Sequence, residues 1–241
     1  MTDIDALGTV LGIWAHPDDD IYLSSGLMVA GVRAGGRVVD VTATRGEGGS
    51  MDEARWPAAT MGEVRTKELL RSLEILGVTE HRFLEGPVDT DMETGLDESG
   101  APQVREIMAD VQPHTVLTFG PDGMTGHEGH KSVSRWATAA FHDVAPAGAR
   151  LLYATQTPEF AAEWLPKLEP FNIFLPGAPP ITPRHQLAIA FELPPDILDR
   201  KVRAIEAHES QIEGLLHVFG EEGFKLFMAE EYFRLAAVKE S

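Results

Sequence analysis

The 241-residue sequence contains no cysteine. That excludes a disulfide framework and any thiolate metal site, so a transition metal here must be held by histidine and carboxylate. Basic residues are scarce as well: 20 Lys and Arg stand against 38 Asp and Glu, a formal net charge of −18. This balance argues against nucleic acid and against anionic membrane surfaces as partners. The acidic excess is spread along the chain and not gathered into a tail, so it mostly serves solubility. No apolar run reaches the roughly 18 residues that a membrane span needs. Met1-Thr2-Asp3-Ile4-Asp5 is acidic where a secretory signal is basic. The expectation is a cytoplasmic protein. The glycine-rich stretch from Thr44 to Ser50 lacks a phosphate loop's spacing and its Gly-Lys-Ser/Thr ending. It reads instead as a flexible turn that folds over the mouth of a site. No internal repeat, low-complexity tract or interdomain linker is visible, so residues 1–241 are expected to form one domain. Its core would span 1–155, with a C-terminal extension over 156–241.

What is present is ordinary for a soluble globular protein: 43% hydrophobic and 24% charged residues. Apolar, β-branched runs predict strands over 9–15, 38–43, 81–84, 115–119, 151–154, 186–193 and 231–236. Helical spacing predicts helices over 21–34, from about 60 to 76, over 104–111, from about 126, and from about 196 past 207. Two capping boxes, Thr60 with Glu63 and Thr125 with Glu128, mark two of the helix starts. Residues 85–99 read as a loop. The proline-rich residues 158–183 read as an irregular excursion. Strands alternating with helices at this spacing predict an α/β fold, Rossmann-like, with a mostly parallel sheet and helices on both faces. The C-terminal extension would complete the sheet.

The first strand empties without a spacer into His16-Pro17-Asp18-Asp19-Asp20. Open α/β sheets place their chemistry beyond the carboxyl ends of the strands. Pro17 ends the strand pairing and pushes His16 into extended geometry at the strand tip. The fourth strand empties into a loop that leads to His127 and His130, three apart at a helix start. His16, Asp19 and His130 thus supply two imidazoles and a carboxylate, the composition of a catalytic zinc site with an open position. The same set would suit Fe(II), and composition does not separate the two metals. Asp18 stands beside a ligand without being one, which suits a general base. His127 suits a group that stabilises an oxyanion or protonates a leaving amine. Arg65 and Glu68, three apart on a helix, otherwise read as an exposed ion pair worth ~0–1 kcal/mol.

Three segments together resemble the PIG-L/LmbE family of zinc-dependent deacetylases: Ala15-His16-Pro17-Asp18-Asp19, Arg65-Thr66-Lys67-Glu68, and Gly126-His127-Glu128-Gly129-His130. The likeness extends to residues 201–211, with Ala204, His208, Ser210 and Gln211. The family hydrolyses N-acetyl groups from N-acetylglucosaminyl compounds or related amides. The resemblance implies zinc on His16, Asp19 and His130, Asp18 as base and His127 as its charged partner. It also implies that Arg65, Asp89 and Glu47 touch sugar hydroxyls. The partner would be a small N-acylated amino sugar or conjugate; a homo-oligomer stays open. An amidase acting on a non-sugar or thiol-conjugate amide is the alternative enzyme, and a sugar-binding protein without turnover the alternative class. Two departures stand out. Glu128-Gly129 occupies the place where the family often has Pro-Asp, whose Asp orients the catalytic histidine. Thr125 stands where some sugar-active members have tyrosine.

Overall fold

The computed structural model describes residues 7–240. The acidic stretch at residues 1–5 lies outside them. Among the described residues no helix is long and apolar enough to cross a membrane.

In chain order the elements are β1 (Val10–Trp14), α1 (Asp19–Arg33), β2 (Val38–Thr42), α2 (Ala58–Leu76), β3 (Glu80–Phe83), α3 (Gly100–Val111) and β4 (Thr115–Thr118). Then follow α4 (Glu128–Val144), β5 (Arg150–Ala154), α5 (Pro158–Leu168), β6 (Ile189–Glu192), α6 (Pro195–Glu206), α7 (Glu209–Phe227) and β7 (Glu230–Val238). The strands form one seven-stranded sheet in the order β3-β2-β1-β4-β5-β7-β6. The five from β3 to β5 are parallel, as βαβ units require. β7 runs antiparallel to both β5 and β6, so the C-terminal segment completes the sheet as expected. Helices α1, α2 and α6 pack together, α3 packs on α4, and β1 touches both α1 and α4. The sheet is therefore sandwiched, and β1, β2 and β4 are buried along their whole length.

The strand order reverses between β1 and β4. Connections leave these neighbours in opposite directions, which opens a crevice at their carboxyl ends. The loops after β1 and β4 carry His16 and His127 into that crevice.

Four local expectations need correction. Helix α2 starts at Ala58 behind Pro57, and the Ala58 N–H donates to the Glu53 carboxylate at 3.1 Å. Thr60 lies inside its first turn and donates to the Pro57 carbonyl, so the Thr60–Glu63 box does not form. Helix α4 starts at Glu128, because Gly126 sits at φ +88° and cannot begin a right-handed helix. The cap is His127, not Thr125. The excursion after β5 contains a true helix, α5: Thr157 caps it by accepting from the Phe160 N–H, and Pro158 occupies the first turn, where no N–H is needed. Helix α7 was not anticipated. It is two helical pieces joined at Gly220, at φ +63°, and its glycines blur the apolar period.

Candidate active site

Asp18 is the backbone oddity of the β1–α1 turn. It adopts φ 135°, a region that a residue with a side chain enters only when its surroundings compel it. The compulsion comes from Arg65. This residue is 4% exposed; its Nη2 donates to the Pro17 carbonyl at 2.8 Å and stands 3.0 Å from the Asp18 carboxylate. Gly46 and Gly49 fold tightly over the same guanidinium: a Cβ at either would come within 2.5 Å of Arg65 Nη1. The glycine-rich turn thus covers the site, as expected, and its glycines are required by Arg65. Glu68 is buried too and makes no exposed pair with Arg65. Its carboxylate accepts from the Ser210 N–H and hydroxyl at 2.8 and 2.7 Å.

Three potential ligand groups converge. His16 Nδ1 lies 3.0 Å from His130 Nε2 and 3.5 Å from one Asp19 oxygen; the other Asp19 oxygen lies 3.4 Å from His130 Nε2. Ligand atoms about 2.0–2.1 Å from one ion at tetrahedral angles stand about 3.3 Å apart, so these edges match. His130 Nδ1 donates to the Gly123 carbonyl at 2.9 Å, which leaves the Nε2 lone pair for the focus. His16 Nε2 lies 3.3 Å from the Asp89 carboxylate as a potential ion pair, and both atoms are buried without a hydrogen-bond partner. A proton on Nε2 points the Nδ1 lone pair at the same focus. Lone pairs from two rings and a carboxylate meeting in a buried place demand a positive charge between them. The surroundings of His16 act in the same sense: burial lowers its pKa, but Asp19 and Asp89 outweigh burial and push it up to about 9. The residues therefore fit a divalent metal.

His127 also belongs to the cluster, since nitrogens of His16, His127 and His130 all lie within 4.8 Å of one another. Its hydrogen bonding separates it from the others. As the cap of α4, its Nδ1 accepts the Gly129 N–H at 3.0 Å. The proton of a neutral ring then sits on Nε2, which becomes a donor with no lone pair to offer a metal. Burial first, then the neighbouring His16, lowers the His127 pKa to about 4. The sequence argument expects an imidazolium here; the Gly129 N–H on Nδ1 and burial favour the neutral ring instead, the opposite of what an accepting Asp partner would do. Glu128 bonds Lys131 at 2.7 Å, and Asp122 caps the Met124 N–H.

Asp18 is pushed up to about 6, by burial first, against the pull of Arg65. Asp89 braces His16, and Glu47 accepts the Asp89 N–H at 3.2 Å, fixing the loop that carries it. Arg65, Asp89 and Glu47 thus each touch protein groups that shape the site. Arg65 and Asp89 also line a cavity of about 460 Å³ that opens from the cluster. Three features have no signature in the sequence: the Gly129 amide on His127, the Glu68–Ser210 contact, and Gln156, whose buried Oε1 has no partner and lines the cavity. The resemblance reaches Ser210 but does not say what it touches.

A buried histidine–carboxylate focus at the switch point of an open α/β sheet is the site of an α/β enzyme that could hold a metal ion. The PIG-L family model, described as GlcNAc-PI de-N-acetylase, matches residues 11–141, and the chain belongs to that family. A 1D-myo-inositol 2-acetamido-2-deoxy-alpha-D-glucopyranoside deacetylase of Saccharomonospora viridis is 30% identical over 230 residues, covering 84% of this chain and 85% of the relative. Among solved structures, the N,N'-diacetylchitobiose deacetylase from Pyrococcus horikoshii superposes with a TM-score of 0.64 at 21% identity, over 98% of this chain and 86% of that one. The 4-carboxy-2-hydroxymuconate hydratase GalB of Pseudomonas putida superposes with a TM-score of 0.62 at 15% identity, over 97% and 98%. Likeness at that distance shows the fold alone, and the hydratase shows that the fold does not dictate the reaction. The closer sequence relatives are deacetylases, and the chain is an enzyme of that hydrolase class.

Proposed function

We propose that the chain hydrolyses the N-acyl amide, in the first instance the N-acetyl group, of a small amino-sugar conjugate, using zinc held by His16, Asp19 and His130. The observation that carries this reading is the meeting of His16 Nδ1, His130 Nε2 and the Asp19 carboxylate beside a second carboxylate, Asp18, that is not part of the set. When bound, such a metal polarises the amide carbonyl and lowers the pKa of water at the site. The remaining work falls to the protein. Asp18, with a pKa raised to about 6, takes the proton of the attacking water on its carboxylate. Arg65 holds that carboxylate from behind. His127 presents Nε2–H to the carbonyl oxygen as negative charge develops there. The protonated Asp18 then returns its proton to the departing amine, so proton and leaving group balance without an imidazolium. Asp89 and His16 form a carboxylate–imidazole pair that fixes the ring.

The test is metal content together with release of acetate. Protein stripped of metal and reloaded with Zn(II) or Fe(II) is offered a set of N-acetylated amino sugars. Acetate released in proportion to bound metal supports the reading, and the better metal is the native candidate. Fully loaded protein that releases nothing from any N-acyl amine overturns it.

A further inference from the structure

The cavity has two unlike walls. One is the histidine–carboxylate cluster. The other is apolar, built by Phe160 and Leu168 of α5, Phe171 and Phe174 just beyond it, and Leu215 and Phe227 of α7. All six lie beyond residues 11–141, the span that the family model matches. This wall is built by the C-terminal segment.

The wall is packed and not a loose surface. Phe227 is its hub, with ring centroids 5.6 Å from Phe160, 5.3 Å from Trp164 and 5.2 Å from Phe219. Polar groups that reach this side already have partners. The Lys201 ammonium bonds Glu231 and the Tyr22 carbonyl; the Gln211 amide N–H bonds the Gly49 carbonyl; Glu230 holds Arg184. Asn172 stands at the exposed rim. Among the described residues on this side, the fully buried side-chain atom left unpartnered is Gln156 Oε1, and Tyr22 also lines the cavity. A polyol seated here would lose its hydration at more hydroxyls than these two groups can meet. A hydrocarbon group loses nothing and gains contact with aromatic rings.

We propose that the substrate carries an apolar group, aryl or alkyl, which lies between α5 and α7 while its amide lies at the histidine cluster and a single donor meets Gln156. This rests on the amide-hydrolase reading of the same site and narrows its substrate class. Two sources share the chemistry: an acyl chain longer than acetyl, or an apolar aglycone on the amine side.

Both are tested with the metal-loaded full chain. One series is glucosamine carrying acetyl, butanoyl, hexanoyl or octanoyl amides. The other is N-acetylglucosamine as methyl, butyl, octyl or phenyl glycosides. Amine release gives kcat/KM, and calorimetry gives the affinity of the octyl and methyl glycosides. The expected result is a rise in one series of about fourfold per buried methylene until the cavity fills. The series that rises identifies the source. Phe171→Gln, at a half-buried position, should flatten that series to within about threefold; Leu215→Gln should do the same, with melting temperature checked for each. If acetate is released but both series are flat, the apolar proposal is overturned and the hydrolase reading stands. If nothing is hydrolysed but the octyl glycoside binds tens of times more tightly than the methyl one, the hydrolase reading falls and the apolar proposal stands. Equal binding of the two with no turnover overturns both.

Discussion

Arg65 holds Asp18 in a backbone conformation that Asp18 would not choose. One guanidinium nitrogen reaches both the carbonyl before Asp18, at 2.8 Å, and its carboxylate, at 3.0 Å. A base directly after a proline is thereby aimed into the cavity by a residue from a different helix. This contact gives Arg65 a hold on Asp18 beside the sugar contact that the resemblance implies.

The consequence is a prediction with a definite sign. The Asp18 carboxylate acts as base only when ionised, so kcat/KM should fall as pH drops below about 6. Arg65 favours the ionised form. Arg65→Gln should therefore move that acid limb to higher pH, and lower kcat about 10- to 100-fold through loss of aim. Metal content should stay whole. A variant with an unmoved acid limb and a change confined to KM would show Arg65 touching substrate and not positioning Asp18.

The metal focus gives the second prediction. His16→Ala and His130→Ala should lose metal and activity together, since each removes a converging lone pair. Asp18→Asn should keep the metal and lose about 10²–10⁴ in kcat, the usual worth of a positioned general base. Metal analysis beside single-turnover rates checks all three. Full occupancy in both histidine variants would require a different ligand set.

How much of this was legible in the sequence depends on range. Strands whose apolar residues are consecutive, such as β1, β2 and β4, were plain, because a strand buried on both faces needs no polar alternation. The parallel order followed from the helices between them, and both loops of the cluster followed from the order. Helix starts failed where a competing local feature won: Pro57 displaced the box at Thr60, and the left-handed Gly126 displaced the one at Thr125. α7 was hidden by its glycines. Contacts between distant segments that do not follow from the strand order were not legible. Arg65 on Asp18 and Glu68 under Ser210 join residues 47 and 142 positions apart, and nothing local announces them.

The tie between the C-terminal segment and α1 yields a stability prediction. Lys201 and Glu231 are fully buried, 2.8 Å apart. Glu231 accepts the N–H groups of Gly26 and Leu27 in the middle of α1, while Lys201 donates to the Tyr22 carbonyl of the same helix. A Cβ at residue 26 would lie 3.1 Å from the Glu231 oxygens and closer still to Leu193, so glycine is what admits the carboxylate. Lys201→Met strands a buried carboxylate and should cost about 3–5 kcal/mol of unfolding free energy. Urea titration measures it; a loss under 1 kcal/mol would mean that the two α1 amides alone keep the Glu231 charge satisfied.

His127 gives the sharpest separation of mechanisms. If it works as a neutral donor, its task is to place one N–H on the developing oxyanion, worth about 10²–10³ in kcat. A glutamine amide at 127 can offer an N–H from nearly the same place. His127→Gln should then retain at least tenfold more activity than His127→Ala, and neither should shift the alkaline limb, because a ring with a pKa lowered to about 4 is already neutral there. If instead His127 is the acid that the resemblance implies, Gln and Ala should be equally poor, and both should abolish that limb. The backbone amide that sets the tautomer can be removed separately. Gly129→Ala and Gly129→Pro both place a Cβ about 3.2 Å from His127 Nδ1. Only proline deletes the N–H that this nitrogen accepts, and the first turn of a helix tolerates proline. Proline should therefore cost several-fold more than alanine, and nitrogen NMR of the ring should show Nε2–H in the alanine variant and a mixture of tautomers in the proline one. Equal rates and equal spectra for the two variants would show that the Gly129 amide does not hold His127, and the neutral-donor mechanism would lose its basis.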